Sequence, residues 1–248
     1  MPPTILFVPG IWEGPSVFNH VSSLLSSAGF KTSTAVLPST GTTSPGNPSM
    51  KDDIAAIRRH LQDLLQPAPE TGTAEDVLLV LHSAGGFLGS EAMQGLHKTG
   101  SSSAPGVIGI VFLAGAIFPL GHEHQPLPFA VVDGGASHCA QPEKLLFGDL
   151  PAAEKSAWLA KLQPQPAQGW DGRVEYTGWK DVPSVYLVCE GDELLPMPLQ
   201  EQLAGLAGSK VERCSAGHVP QVSQPERVVE VVKGAVEEFV RGVDRLKS

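Results

Sequence analysis

One stretch constrains this chain more than any other. Asp76-Val77-Leu78-Leu79-Val80-Leu81 runs into His82-Ser83-Ala84-Gly85-Gly86. A short apolar run bounded by a small-residue turn reads as an interior strand covered on both faces, hence a parallel one. From Gly86 to Met93 the pattern turns helical. A strand, a tight turn with serine at its apex and a helix make a nucleophile elbow, which holds the hydroxyl clear of its own backbone. The same turn sets the free N–H groups of a helix start beside the reacting atom.

The motif departs from G-x-S-x-G at its first position, where Leu81 stands. The elbow crowds the residues two places either side of the serine; Gly85 is small enough and Leu81 is not. On these residues alone, a glycine-rich strand–helix turn is the commoner explanation. The rest of the chain has to decide.

Its organisation favours the elbow. Thr4–Val8 reads as a first buried strand stopped by Pro9-Gly10, and a helix is expected from about Val17 to Ala28, with Gly29 as its stop. Lys31–Leu37 reads as a second strand. Asp52 and Asp53 open a helix whose apolar residues Ile54, Ile57, Leu61, Leu64 and Leu65 recur at helical spacing and which Pro67-Ala68-Pro69 ends. Val107–Leu113 and Val182–Cys189 are further strands, Pro198–Leu206 a helix, Lys210–Cys214 a last short strand, and Pro225 opens a final helix. Alternating strands and helices predict an α/β fold, a mostly parallel doubly wound sheet. Residues of about 119–180 interrupt the alternation with short helical patterns, many prolines and no convincing strand. They are too long for a plain connection and read as an inserted helical lid on a single domain whose core is 1–118 and 181–248.

A nucleophilic serine needs a base to take its proton and an acid to orient that base, each at its own strand end. Asp192 follows a glycine turn just past the strand ending at Cys189, between the competing Glu190 and Glu193. By itself that loop is better read as a solvated acidic turn. His218 lies in a glycine-flanked loop between the last strand and the final helix. The order Ser83, Asp192, His218, each past a strand, raises all three together. For the oxyanion, donors are expected from the amide of Ala84 and, in the loop after the first strand, from Ile11. Gly10 would let that backbone approach closely. Trp12, Phe118, Phe129, Phe147 and Trp158 are candidates for an apolar substrate wall, though packing of the lid explains them equally well. His82 is held by the elbow itself. His122 and His124, i and i+2 in a loop, make a weak metal signal, and His20, His60 and His97 read as exposed helical residues.

Composition narrows the function classes. At 248 residues the chain can bury a large α/β core, and 42% hydrophobic with 17% charged residues suits an ordinary globule. A formal charge of −9 disfavours nucleic acid. No apolar stretch approaches the ~20 residues that span a bilayer, so no membrane partner is expected. The N-terminal apolar run, without a basic leader or cleavage site beside it, reads as a strand, so no signal peptide is expected. Cys139, Cys189 and Cys214 are an odd number at unhelpful spacings, so reduced thiols and a cytoplasmic location are expected. No metal or nucleotide cofactor is implied, and the protein is expected to act as a monomer or homodimer.

With these parts in order, the chain resembles the α/β-hydrolase superfamily over essentially its whole length. More narrowly it looks like the lidded branch that includes plant methylesterases and hydroxynitrile lyases, and especially uncharacterised fungal hydrolases of that type. The matching pieces are Phe7-Val8-Pro9-Gly10, His82-Ser83-Ala84-Gly85-Gly86, Tyr186–Asp192 and Ala216-Gly217-His218-Val219-Pro220 through Pro225. Pro9-Gly10 stands where many relatives have His-Gly. The resemblance implies Ser83 as nucleophile, Asp192 as acid, His218 as base, no cofactor, and an apolar pocket between sheet and lid. The expected substrate is a small hydrophobic ester or lactone. Carbon–carbon or cyanohydrin lysis, cyclisation of a natural-product intermediate, and slow-turnover ligand sensing are the alternatives, because fold and triad do not fix the reaction.

Overall fold

Thr4–Val8 forms β1, with every residue buried. The structure is a computed structural model and describes residues 2–67, 72–100 and 104–247. After a 3₁₀ turn at Pro15–Phe18 come α1 (Asn19–Ser27), β2 (Thr32–Thr34), α2 (Met50–Leu64), β3 (Val77–His82), α3 (Gly85–Ala92) and β4 (Val107–Leu113). The insertion holds β5 (Ala130–Asp133), β6 (Ala136–Cys139), α4 (Pro142–Leu145), α5 (Ala152–Leu159) and β7 (Gln165–Pro166). The chain closes with β8 (Ser184–Cys189), α6 (Met197–Ala207), β9 (Lys210–Cys214), α7 (Pro220–Ser223) and α8 (Pro225–Lys247).

The main sheet is six-stranded and parallel, in the order β2-β1-β3-β4-β8-β9. The chain starts at β1, steps out to β2, then crosses back to β3. The switch point of the sheet therefore lies between β1 and β3, where the loops past the strand ends diverge and leave a crevice. Gly10 and Ile11 follow β1 there, and Ser83 follows β3.

β3, β4 and β8 are buried at every position, as expected of strands with helices on both faces. α1 packs with α8 and α2 with α3, and both pairs lie against the sheet. Each fully buried aliphatic side chain contributes roughly 1.5–3 kcal/mol. α2 starts two residues before the predicted Asp52, because Ser49 caps it. The Ser49 N–H donates to Asp52 Oδ2 at 2.7 Å, and Asp52 N–H returns to Ser49 Oγ. Ala68 and Pro69 of the predicted stop lie outside the described residues, but the helix already ends at Leu64. β2 is shorter than expected, since it is an edge strand with β1 as its one neighbour in the sheet.

Two expectations fail. The segment read as strandless carries a three-stranded antiparallel sheet, β5-β6-β7. Its strands are two to four residues long and largely polar or exposed, so no apolar alternation marks them. The signal was the two-residue turn Gly134-Gly135 between Asp133 and Ala136, with Gly134 at φ +58°. The second failure concerns two histidines read as exposed and helical. His60 is helical but half-buried, with its Nε2 2.8 Å from Ser33 Oγ, and burial pulls its pKa down. His97 pairs with Val107 as an isolated bridge instead of sitting on a helix.

Candidate active site

Ser83 has φ +50°, in the left-handed region that residues other than glycine rarely enter. Such a turn persists only where its surroundings hold it. Here the end of β4 does so: the Ser83 N–H donates to Leu113 O at 3.2 Å, and Ser83 O accepts the N–H groups of Gly86 at 2.9 Å and Ala116 at 2.8 Å. The crowding at Leu81 is resolved on the helix. A Cβ at Gly89 would lie 2.4 Å from Leu81 Cδ2, so the space a glycine would leave on the strand is provided one layer over, on α3. Across the crevice Gly10 presses against the same turn, and a Cβ there would lie 2.9 Å from Ser83 Cβ.

β8 and β9 bring the other two residues. They are parallel neighbours, and Cys189 and Cys214 face each other at their ends as buried free thiols with Sγ atoms 3.7 Å apart. Past β8, Asp192 Oδ1 accepts the N–H groups of Leu194 at 2.8 Å and Leu195 at 2.9 Å. Asp192 Oδ2 lies 2.8 Å from His218 Nδ1, and His218 Nε2 lies 2.9 Å from Ser83 Oγ. Ser83, His218 and Asp192 are 8%, 2% and 5% exposed, so bulk water weakens these contacts little. Burial opposes the imidazolium of His218, but the charge and hydrogen bond of Asp192, with the charge of Glu13, prevail and raise its pKa above the ordinary histidine value. The rival acids face outward: Glu190 pairs with Arg213 at 3.6 Å and Glu193 with Lys144 at 2.8 Å.

Several residues around the relay escaped the sequence reading. Gln200 on α6 clamps the acid loop, its Oε1 accepting Cys189 N–H while its Nε2 donates to Leu195 O and reaches Asp192 Oδ2 at 3.3 Å. Asp149, from the insertion, accepts the Gly217 N–H at 2.7 Å. Glu13 and His82 form a buried pair at 2.8 Å. A lone polar residue carries no sign of a partner dozens of residues away: His82 was read as held by the elbow, but its partners, and the places of Gln200, Asp149 and Glu13, were not legible.

Ala84 is the N-cap of α3, directly after Ser83. Ile11 follows the glycine that abuts Ser83. Trp12, expected in the pocket wall, is instead packed into the seam between core and insertion. It is 2% exposed, its Nε1–H donates to Ser137 O at 3.0 Å, and its ring meets Phe129 edge-on. Phe118 stacks on His122 and leans on Phe87 of α3. His124 packs against Phe87 as well, and burial pulls its pKa down to about 4. Phe147 and Trp158 come together, and with Glu13, Gly14, Val17 and Leu162 they line a small pocket at the insertion's edge. Among the described residues, no three His, Cys, Asp or Glu side chains are grouped as a metal site would require. Among them too, no helix is long and apolar enough to cross a membrane.

A parallel sheet with serine at the β3–α3 turn, aspartate after β8 and histidine after β9 is the architecture of an α/β hydrolase. The model of the alpha/beta hydrolase family matches residues 5–231, and the chain belongs to that family. It is 26% identical to the alpha/beta hydrolase nvfD of Aspergillus novofumigatus, over 96% of this chain and 98% of that one. The methylesterase MES16 from Arabidopsis superposes with a TM-score of 0.72 at 20% identity, covering 95% of this chain and 99% of the other. A pyrethroid hydrolase from Sphingobium faniae superposes at 0.69 and 20% identity, covering 95% and 97%.

Proposed function

We propose that the protein is a serine hydrolase that cleaves a small hydrophobic carboxylic ester or lactone through an acyl-enzyme on Ser83. The observation that carries this reading is the buried relay from Asp192 through His218 to Ser83, with contacts of 2.8 and 2.9 Å. Both are within the hydrogen-bond reach that proton transfer requires. His218 takes the Ser83 proton as Oγ attacks the carbonyl, and Asp192 holds the Nδ1–H tautomer and stabilises the imidazolium that forms. The amides of Ile11 and Ala84 receive the oxyanion. His218 then protonates the leaving alcohol and activates water to release the acid. The methylesterase, named for ester cleavage, and the pyrethroid hydrolase, named for hydrolysis, support the reaction class. Residues of about 119–180 serve as the lid, with Phe118, Phe129 and Trp158 offered to the substrate and Trp12 behind them.

The test is a panel of p-nitrophenyl esters of increasing acyl length, run beside lactones and cyanohydrins, with rapid quenching and intact mass to trap the intermediate. Turnover of short apolar esters or lactones with an acyl adduct on Ser83 is expected. Cyanohydrin cleavage without an adduct would replace hydrolysis by lyase chemistry.

A further inference from the structure

Behind the nucleophile lies a second histidine–carboxylate pair that the acyl-transfer cycle leaves unused. His82 is fully buried and Glu13 is 4% exposed. His82 Nδ1 lies 2.8 Å from Glu13 Oε2, and His82 Nε2 lies 2.8 Å from the main-chain oxygen of His218. A carbonyl oxygen can only accept, so Nε2 carries hydrogen and donates. Glu13 Oε2 also accepts the Gly10 N–H, at 3.3 Å. One imidazole thus connects the loop after β1, the residue before the nucleophile and the backbone of the base.

We propose that Glu13 and His82 are positioning residues, holding the Gly10–Ile11 loop and the main chain of His218 at the spacing that Ser83 chemistry requires. The proposal rests on the serine-hydrolase reading above and deepens it. Asp192 fixes the His218 ring at Nδ1, whereas His82 fixes the same residue at its carbonyl, so the base is held at two separate points. Stability alone is a poor reason for the pair. Desolvating such groups carries a cost that apolar residues of similar volume would avoid, and among the described residues Glu13 Oε1 is buried with no hydrogen-bond partner. The charged and titratable groups facing His218 are Asp192 from the β8 loop, Glu13 from the β1 loop and His82 from β3. Asp149 from the insertion binds the adjacent Gly217 amide. Glu13 favours the imidazolium form of His218, the form created when Ser83 attacks.

Glu13→Gln keeps the shape and removes the charge. Misplacement of reacting groups by about 1 Å costs on the order of 10²-fold, so kcat and the rate of fluorophosphonate labelling at Ser83 should fall about 10- to 10²-fold. KM should stay within about twofold, the split expected of an interaction made in the transition state. The acid limb of the pH–rate profile should move to lower pH. In parallel, long-range proton–nitrogen NMR of wild-type protein labelled with ¹⁵N-histidine should show His82 protonated at Nε2, which tests the anchor on the His218 carbonyl even where the variant does not fold. A folded Glu13→Gln protein with unchanged kcat and an unmoved limb, or a His82 bare at Nε2, overturns the proposal. Adducts that form equally fast on wild type and variant sink the positioning role alone. A wild type that takes no adduct sinks the hydrolase reading and this role together.

Discussion

The parallel sheet and the insertion are built to different standards. β3, β4 and β8 are buried at every residue, whereas α4 and α5 have no buried residue. Val131 and Val132 of β5 are 51% and 61% exposed. Yet the insertion touches the site's own loops through hydrogen bonds: Asp149 to Gly217 N–H, Gln163 N–H to Trp12 O, and Trp12 Nε1–H to Ser137 O. The difference teaches where precision is needed. The Ser83–His218–Asp192 geometry hangs on strand ends that cannot shift without disturbing the core. The insertion is tied to the core at many separate points by polar links, among them Gly41 N–H to Pro164 O, Met50 N–H to Gly169 O and Gln165 Nε2 to Ser39 Oγ, while its own short helices and β5 stay exposed.

The contrast can be broken at graded depths. The largest effect is expected at the elbow, where Ser83→Ala should lower kcat on the order of 10⁶-fold if the three residues act as a unit. Steady-state turnover of an ester checks this. Asp192→Asn should cost on the order of 10⁴-fold by releasing the tautomer of His218. On the proposed mechanism activity requires neutral His218, so it should be lost as pH falls through that residue's raised pKa. Removing the Asp192 charge should carry this acid limb to lower pH, as a pH–rate profile would show.

A core effect comes next. Gly89→Ala drives a Cβ into Leu81 and should destabilise by about 1–3 kcal/mol. Adding Leu81→Ala should return much of that loss, and chemical denaturation of the single and double variants tests the exchange. Beside that stands Asp53. It is fully buried, and although the Ser39 N–H and hydroxyl donate to its carboxylate, burial pushes its pKa up to about 6. Protonation therefore favours the folded state, with a contribution that is full below about pH 4 and lost as pH rises through about 6. Relative to Asp53→Asn, the wild type should lose about 2–3 kcal/mol of stability between pH 4 and 7, measured by denaturation at each pH. The smallest effect belongs to the insertion's surface: Val132→Lys should change stability by less than about 0.5 kcal/mol. A larger loss would mean that β5 is as tightly held as the sheet.

The same contrast explains what could be read from the sequence. β3, β4 and β9 stood out because they are bounded runs between turn residues, and β4 and β9 begin and end where expected. That Ser83, Asp192 and His218 meet was legible because each follows a strand in a fixed order, so position along the chain encodes position in space. The roles of Glu13, His82, Gln200 and Asp149 were not, because they are set by partners that only the fold brings near. The β5–β6 hairpin was missed for a different reason: a Gly-Gly turn was present, but its strands lack the buried, alternating face that makes a strand recognisable. The exchange of Leu81 for space at Gly89 shows how a broken motif is repaired by a residue eight positions on, across the helix and not along it.

The central claim is that Ser83 is an activated nucleophile. The direct measurement is intact mass after exposure to a fluorophosphonate, on wild type and Ser83→Ala side by side. A single adduct on the wild type and none on the variant is the predicted result. Equal labelling of both proteins, or none on a folded wild type, would contradict it.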